Sequence, residues 1–180
     1  MQLDDNLLRK LAKAMVEQPR ATVKDLAEAI GVSRGTLHRT FGSRESIVEK
    51  INEYGTAVLN HIADTISAKS VEPTDASLSS LINMHLEHRE VLIYQMFNYT
   101  PEVCTVENTL WAHYSNAVDR YFLAGQQVGL FRIDINAAAL TEYFVSLIYS
   151  TADAERRGRL ANAESVKLLT RFFLHGAKGN

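Results

Sequence analysis

An all-α fold is what this sequence predicts, and three observations predict it. Apolar residues recur at spacings of three and four along most of the chain, the period of a helix packed on one side. These stretches are punctuated by cap residues and glycines. Thr22, Ser33, Ser43, Thr74 and Asp134 stand where helices should begin, and Gly31, Gly42, Gly129 and Gly158 where they should end. No alternating polar and apolar run bounded by hairpin turn signals argues for a strand.

Asp4 to Gln18 reads as the first helix, with Leu7, Leu8, Leu11, Met15 and Val16 as its apolar stripe and Pro19 as its stop. Thr22 caps the second, and Asp25 three places on closes a capping-box-like pair. Val23, Leu26, Ala27 and Ile30 form its inner face, Gly31 ends it, and Val32 plugs the corner that follows. Ser33 caps a short third helix with Leu37 and Phe41 inside at i and i+4. Its other side carries Arg34, Gly35, Thr36, His38, Arg39 and Thr40. A connection of about three residues is that of a helix-turn-helix. In that motif the second helix enters the major groove of double-stranded DNA, N-terminal residues nearest the base edges. The first helix should pack across its back and complete a three-helix head.

Ser43 caps a long helix to about Ser67, with Ile47, Ile51, Tyr54, Val58, Ile62 and Ile66 along one face. Its start belongs to the head and its far end to the body, so a single rod near Gly55 can carry motion. After a loop over 68–73, Thr74 caps a helix bearing Leu78, Leu81, Ile82 and His85, continuing through Leu92 to Phe97. Tyr99, Thr100 and Pro101 break it. Another helix runs from about Val103 to Gln127, with Val106, Leu110, Trp111, Tyr114, Val118, Tyr121 and Phe122. Gly129 ends it, and Asp134 caps the apolar helix Ile135 to Arg157, whose arginines Arg156 and Arg157 suit its negative C-terminal pole. The last helix, Asn162 to His175, shows Val166, Leu169, Phe172 and Phe173. The domains expected are 1–50, a helix-turn-helix DNA-binding domain, and 51–180, a helical ligand-binding and dimerisation domain.

The charge balance agrees with this division. The net charge of the 180 residues is −2. Residues 1–50 hold nine Lys/Arg against seven Asp/Glu, giving +2, and the remainder ten against fourteen, giving −4. A basic reading head on an acidic body is the asymmetry expected of a regulator that touches DNA locally. Cys104 is the single cysteine, so no intrachain disulfide is available, which fits a reducing, cytoplasmic setting. Cys104 itself reads as a small half-buried residue. The N-terminus is acidic and then amphipathic, unlike a signal peptide. The most apolar run, Ile135 to Ala152, is interrupted by Asn136, Thr141, Glu142, Ser146, Ser150 and Thr151 and falls short of a membrane span. No membrane partner is expected.

On the exposed side of the third helix, Arg34 and Arg39 can make bidentate bonds to guanine, and Thr36 offers a hydroxyl or a methyl to base edges. Gly35 leaves room for close backbone approach. Thr22, Ser33, His38 and Arg44 are placed to donate to phosphates. No acidic residue interrupts Ala29 to Arg44. The helix over 135–152 is nearly uncharged around its circumference and so must be buried on every side. A second chain is needed to cover it. The expected homodimer packs Tyr143, Phe144, Leu147 and Ile148 with Leu169, Phe172 and Phe173 into a four-helix bundle. Two-fold symmetry then places the recognition helices one DNA turn apart, roughly 34–36 Å, on a palindromic site.

Tyr94, Met96, Phe97, Tyr99, Trp111, Tyr114 and Phe122 flank the loop over 98–105. Aromatic-rich interhelical space suits a small-molecule pocket, although aromatic stripes are more often plain core. The candidate lining is Tyr94, Phe97, Trp111, Tyr114 and Phe122, with Glu107 as a carboxylate for a cationic ligand. His85 and His88 share a helical face at i and i+3 and would hold a metal only with a third ligand. The spacing is not HExxH, and a charged helical surface with His85 half buried is the reading taken. No phosphate-cradling glycine loop or nucleophile elbow is present, so neither an enzyme nor a cofactor is expected.

The run Thr22 to Arg44 resembles the N-terminal domain of the TetR/AcrR family of bacterial regulators. The family pattern is a Thr, an Ile/Leu-Ala pair, Gly-Val-Ser, a small residue, Thr/Ser-Leu/Ile-Tyr, then Phe and Ser-Lys-Glu. Here these are Thr22, Leu26-Ala27, Gly31-Val32-Ser33, Gly35-Thr36-Leu37-His38, Phe41 and Ser43-Arg44-Glu45. His38 replaces the usual Tyr and Arg44 the usual Lys. The stretches PRATVKDLAEAIGVSRGTLHR, LFRIDINAAALTEYF and DAERRGR are similar to members of the family that repress multidrug efflux operons. The resemblance implies repression, dimerisation through the C-terminal helices, and an effector pocket in the body that admits bulky, often cationic molecules. The competing function is a helical protein-interaction module without DNA binding. Salt-dependent binding to a palindromic duplex separates the two.

Overall fold

The computed structural model describes residues 5–68, 71–98 and 109–179. Among these residues the chain forms nine α-helices and no strand, the one extended pairing being a bridge between Phe131 and Lys178. The helices are α1 (Asp5–Glu17), α2 (Val23–Ala29), α3 (Arg34–Phe41), α4 (Arg44–Ser67), α5 (Asp75–Leu86), α6 (Arg89–Phe97), α7 (Thr109–Gln127), α8 (Ala137–Arg156) and α9 (Asn162–Ala177). The helix expected from Thr74 to Phe97 is two. The chain turns at Glu87 and His88 without a glycine or proline to announce it, and Arg89, first residue of α6, lies 2.9 Å from the buried Glu155 carboxylate of α8. The break at 99–101, Val103, Cys104, Val106 and Glu107 lie outside the described residues. α8 begins later than expected. Asn136, not Asp134, is its cap, with Oδ1 accepting the Ala139 N–H at 2.8 Å, while Asp134 is forked by the Arg132 guanidinium.

The chain divides into two compact units. The first holds residues 5–58 and 90–98, the second 59–68, 71–89 and 109–179. In the first, Leu8, Leu11 and Met15 of α1 meet Leu26 and Ala27 of α2, Leu37 and Phe41 of α3, and Ile47 and Ile51 of α4. Val91 and Tyr94 of α6 complete this core. Each fully buried side chain of this size contributes about 1.5–3 kcal/mol relative to exposure, so the short helices α2 and α3 owe their stability to this packing rather than to their own hydrogen bonds. At Gly55 of α4, an added Cβ would overlap the Gln95 carboxamide of α6. The glycine is what admits that side chain.

In the second unit α8 packs against α5, α7 and α9, and α5 against α9. Its centre is a cluster of Phe122, Phe131, Phe144 and Phe173, with ring centroids 5.1–6.4 Å apart and mostly edge-on. Edge-on pairs are favoured because the positive ring edge meets a negative face. The Phe131 ring lies where a Cβ on Gly125 would stand, so α7 must carry glycine there.

His85 is buried rather than half buried, at 2% exposure. Its Nδ1 lies 2.7 Å from the Leu81 carbonyl, which can only accept, so Nδ1 carries the hydrogen. Nε2 therefore accepts the Tyr114 hydroxyl at 2.6 Å. Both nitrogens are engaged, and among the described residues no group of three His, Cys, Asp or Glu comes together to hold a metal. Burial pushes the imidazole pKa down to about 4 from 6.5. The unfolded chain thus binds this proton at higher pH than the folded one. Stability is full above 6.5 and falls as pH drops towards 4, by about 3 kcal/mol for this group. Denaturant midpoints measured from pH 7 to 4 should show that decline, and a larger one in the wild type than in His85→Gln. Parallel profiles would remove His85 as the source.

Candidate nucleic-acid interface

The interface is built from two caps and one glycine turn. Thr22 is extended (φ −76°, ψ 166°) and its Oγ1 accepts the Asp25 N–H at 3.3 Å. Asp25 Oδ2 in return accepts the Thr22 N–H and hydroxyl, both at 2.8 Å. These bonds from the Thr22 backbone and then its side chain hold the Asp25 carboxyl below its usual pKa. Gly31 turns the chain at φ 74°, and the Val32 N–H returns to the Ala27 carbonyl at 2.9 Å. Ser33 then caps α3: its Oγ accepts the Thr36 N–H at 3.0 Å and stands 2.9 Å from Thr36 Oγ1. Gly42 closes the helix at φ 77°.

Because Leu37 and Phe41 are held in the core, the opposite side of α3 is forced outward. Arg34, Gly35, Thr36, His38 and Arg39 are all exposed, with Thr40 partly so. Thr40 turns its hydroxyl back to the Thr36 carbonyl at 2.9 Å. Among the described residues neither Arg34 nor Arg39 has an ion-pair or hydrogen-bond partner, so both forks are unoccupied. Such guanidinium groups on the first and last turns of a short exposed helix match guanine O6 and N7 in a major groove. Thr22 and Ser33 are different. Their hydroxyls already serve the caps, so what they offer a phosphate is the helix start they shape. Arg44 is different again: Nη2 donates to the Pro19 carbonyl at 2.9 Å and Nε to the Ala21 carbonyl at 3.3 Å.

The family model for bacterial regulatory proteins of the tetR family matches residues 19–51. Over 176 residues the chain is 47% identical to the HTH-type transcriptional regulator NfxB of Pseudomonas aeruginosa, covering 97% of this chain and 94% of that protein. The chain belongs to the TetR family of bacterial regulatory proteins. It is also 28% identical over 129 residues to the HTH-type transcriptional repressor KstR2 of Rhodococcus jostii, covering 64% of this chain and 60% of that one. Its fold is that of TetR-family crystal structures. KstR2 of Mycobacterium tuberculosis superposes with a TM-score of 0.72 at 16% identity, covering 97% of this chain and 94% of that one. LfrR of Mycobacterium smegmatis, solved with proflavine, gives 0.64 at 18% identity, covering 94% and 93%. As a TetR-family protein the chain is a DNA-binding transcriptional regulator and not an enzyme, and the reading as an interaction module without DNA is set aside.

The other residues singled out from the sequence are dispersed. Of the five aromatic pocket candidates, Tyr94 is in the core of the first unit and Phe97, also of that unit, is 55% exposed. Phe122 is enclosed in the phenylalanine cluster, and Tyr114 bonds His85. Trp111 alone is half buried in the second unit, edge-on to Tyr114 with centroids 6.2 Å apart. The seven interface candidates also divide. Phe144, Ile148, Leu169 and Phe173 are buried inside their own chain, whereas Tyr143 and Phe172 are 57% and 68% exposed and Leu147 is partly so. TetR-family α8 is thus not unsupported all round here; one side rests on α5, α7 and α9. Leu168, one helical turn before Phe172 on α9 and 43% exposed, is not among the seven. No helix among the described residues is long and apolar enough to cross a membrane.

Proposed function

We propose that this regulator is a cytoplasmic repressor that binds a palindromic operator as a homodimer and is released by a small-molecule effector. The observation that carries the reading is the outward face of α3, Arg34, Thr36 and Arg39 over a buried Leu37 and Phe41. Arg34, Thr36 and Arg39 read base edges, Gly35 lets the backbone approach, and Thr22, Ser33 and His38 meet phosphates at the starts and side of α2 and α3. Residues 1–50 form the reading domain, whose core also takes Ile51, Val91 and Tyr94, and the rest of 51–180 senses and dimerises. The second copy covers the apolar surface of Tyr143, Leu147, Leu168 and Phe172 along a groove of about 350 Å³ between α8 and α9.

The likeness to NfxB supports an efflux operon as the target, and proflavine, which LfrR binds in its crystal structure, is a reasonable first probe of the effector class. The effector binds in the second unit beside the Trp111–Tyr114 pair. Its effect reaches the head through α6, whose Val91 and Tyr94 are part of the head's core, and along α4, continuous from Arg44 to Ser67. The test is binding to inverted repeats in the DNA flanking the gene. Affinity should fall steeply with salt as counterions are released on phosphate neutralisation, and proflavine should lower it. Salt-independent binding, or equal affinity for a scrambled duplex, would refute the reading. A flexible linker at Gly55 should leave operator binding but abolish the effector response.

A further inference from the structure

We propose that Arg44 is a positioning residue for operator binding: its guanidinium ties the chain just before α2 to the chain just after α3 and does not itself contact phosphate. The inference rests on the reading of α3 as the recognition helix. Arg44 is the first residue of α4, two places after Gly42 closes α3. It donates to the carbonyls of Pro19 and Ala21, the latter immediately before the Thr22 cap of α2. Everything between those two anchor points is the helix-turn-helix. A planar fork can bridge two carbonyls set two residues apart, whereas the single ammonium nitrogen of a lysine has no such second edge.

The surroundings agree. Arg44 is half buried, and Ala21 is buried. Burial pushes the Tyr94 phenol pKa up, and the positive charge of Arg44 partly offsets that rise. Hydrogen bonds from a charged donor to a carbonyl are about twice as strong as neutral ones. The bond pair therefore fixes where α2 starts relative to where α3 ends, the spacing that two-point contact with one groove depends on.

The test compares Arg44→Lys, Arg44→Ala and Arg34→Ala on one operator, below the thermal transition of every variant as seen by circular dichroism. The expected result is that both Arg44 variants lose about tenfold or more in affinity with the wild-type slope of log affinity against log salt. Lysine does not rescue, although it keeps the charge. A phosphate contact predicts the opposite: Arg44→Lys binds like wild type and Arg44→Ala loses about 0.9 of slope per contact. That result overturns the proposal. So does a loss of affinity that vanishes once the folded fraction is taken into account. If Arg44→Ala does not fold, Arg44→Lys alone decides, since its stem and charge are kept. Wild-type binding by Arg34→Ala would instead sink the reading of α3, a separate failure.

Discussion

Arg34→Ala is expected to cost this regulator most of its preference for its own operator while leaving the fold untouched. The side chain is exposed at the first position of α3, without a partner among the described residues, so its removal should change stability by no more than about 0.5 kcal/mol. A bidentate arginine–guanine contact is worth about 1–3 kcal/mol of discrimination. A two-fold operator presents it twice, so the loss is about 2–6 kcal/mol, or roughly 30-fold to 10⁴-fold in affinity. The loss should be confined to specific DNA. Binding to a scrambled duplex, held mainly by phosphates, should change little. Competition assays with operators altered one base pair at a time should show the variant indifferent at one symmetric pair of positions. A variant that discriminates all positions as the wild type does would assign base reading elsewhere on the head.

Phe172→Asp should convert the dimer to a monomer, with operator affinity falling by orders of magnitude because each head must then bind its half-site alone. Phe172 is 68% exposed on α9, lining one groove with Tyr143 and Leu147, so the chain's own core has no use for it. A two-fold interface repeats each contact, and covering a phenylalanine contributes about 1.5–3 kcal/mol per copy. A carboxylate in its place would be buried without a partner, which costs more than the lost contact. The adjacent residue provides the contrast. Phe173 is buried among Phe122, Phe131 and Phe144, so Phe173→Ala should unfold the protomer by about 3–5 kcal/mol and not merely separate it. Sedimentation of Phe172→Asp as a stable dimer would move the interface off this surface.

The α2–turn–α3 unit could be read from residues because everything that makes it is local. The Thr22–Asp25 box and the Ser33–Thr36 cap each span three residues, the turn needs only Gly31 at positive φ, and Leu37 and Phe41 are one helical turn apart. The same locality marks the starts of α2, α3 and α5 and the ends of α2 and α3, but it neither separates Asn136 from Asp134 as the cap of α8 nor announces the corner at Glu87. What a helix's apolar face packs against is not local. α8 is apolar around most of its girth, and only its neighbours α5, α7 and α9 determine that Phe144 and Ile148 turn inward while Tyr143 is left outside. Tyr94 stands among the pocket candidates, although aromatic stripes are more often core, and only the packing of α6 against the head places it in the core.

Charged and polar partners follow the same division. The exposed arginines of α3 were evident because burial of Leu37 and Phe41 decides their direction through helical period alone. The bonds of Arg44 to the Pro19 and Ala21 carbonyls could not be read from the sequence, because those acceptors are 25 and 23 residues away. His85 met Tyr114 across 29 residues, and its neutral state follows from that burial rather than from any neighbour in the chain. Sequence by itself therefore determined the fold class, the family and which side of α3 is exposed, all products of short-range periodicity and capping. Only tertiary packing decided which apolar and polar side chains stay free for a partner, because that depends on which surfaces the chain has already covered with itself.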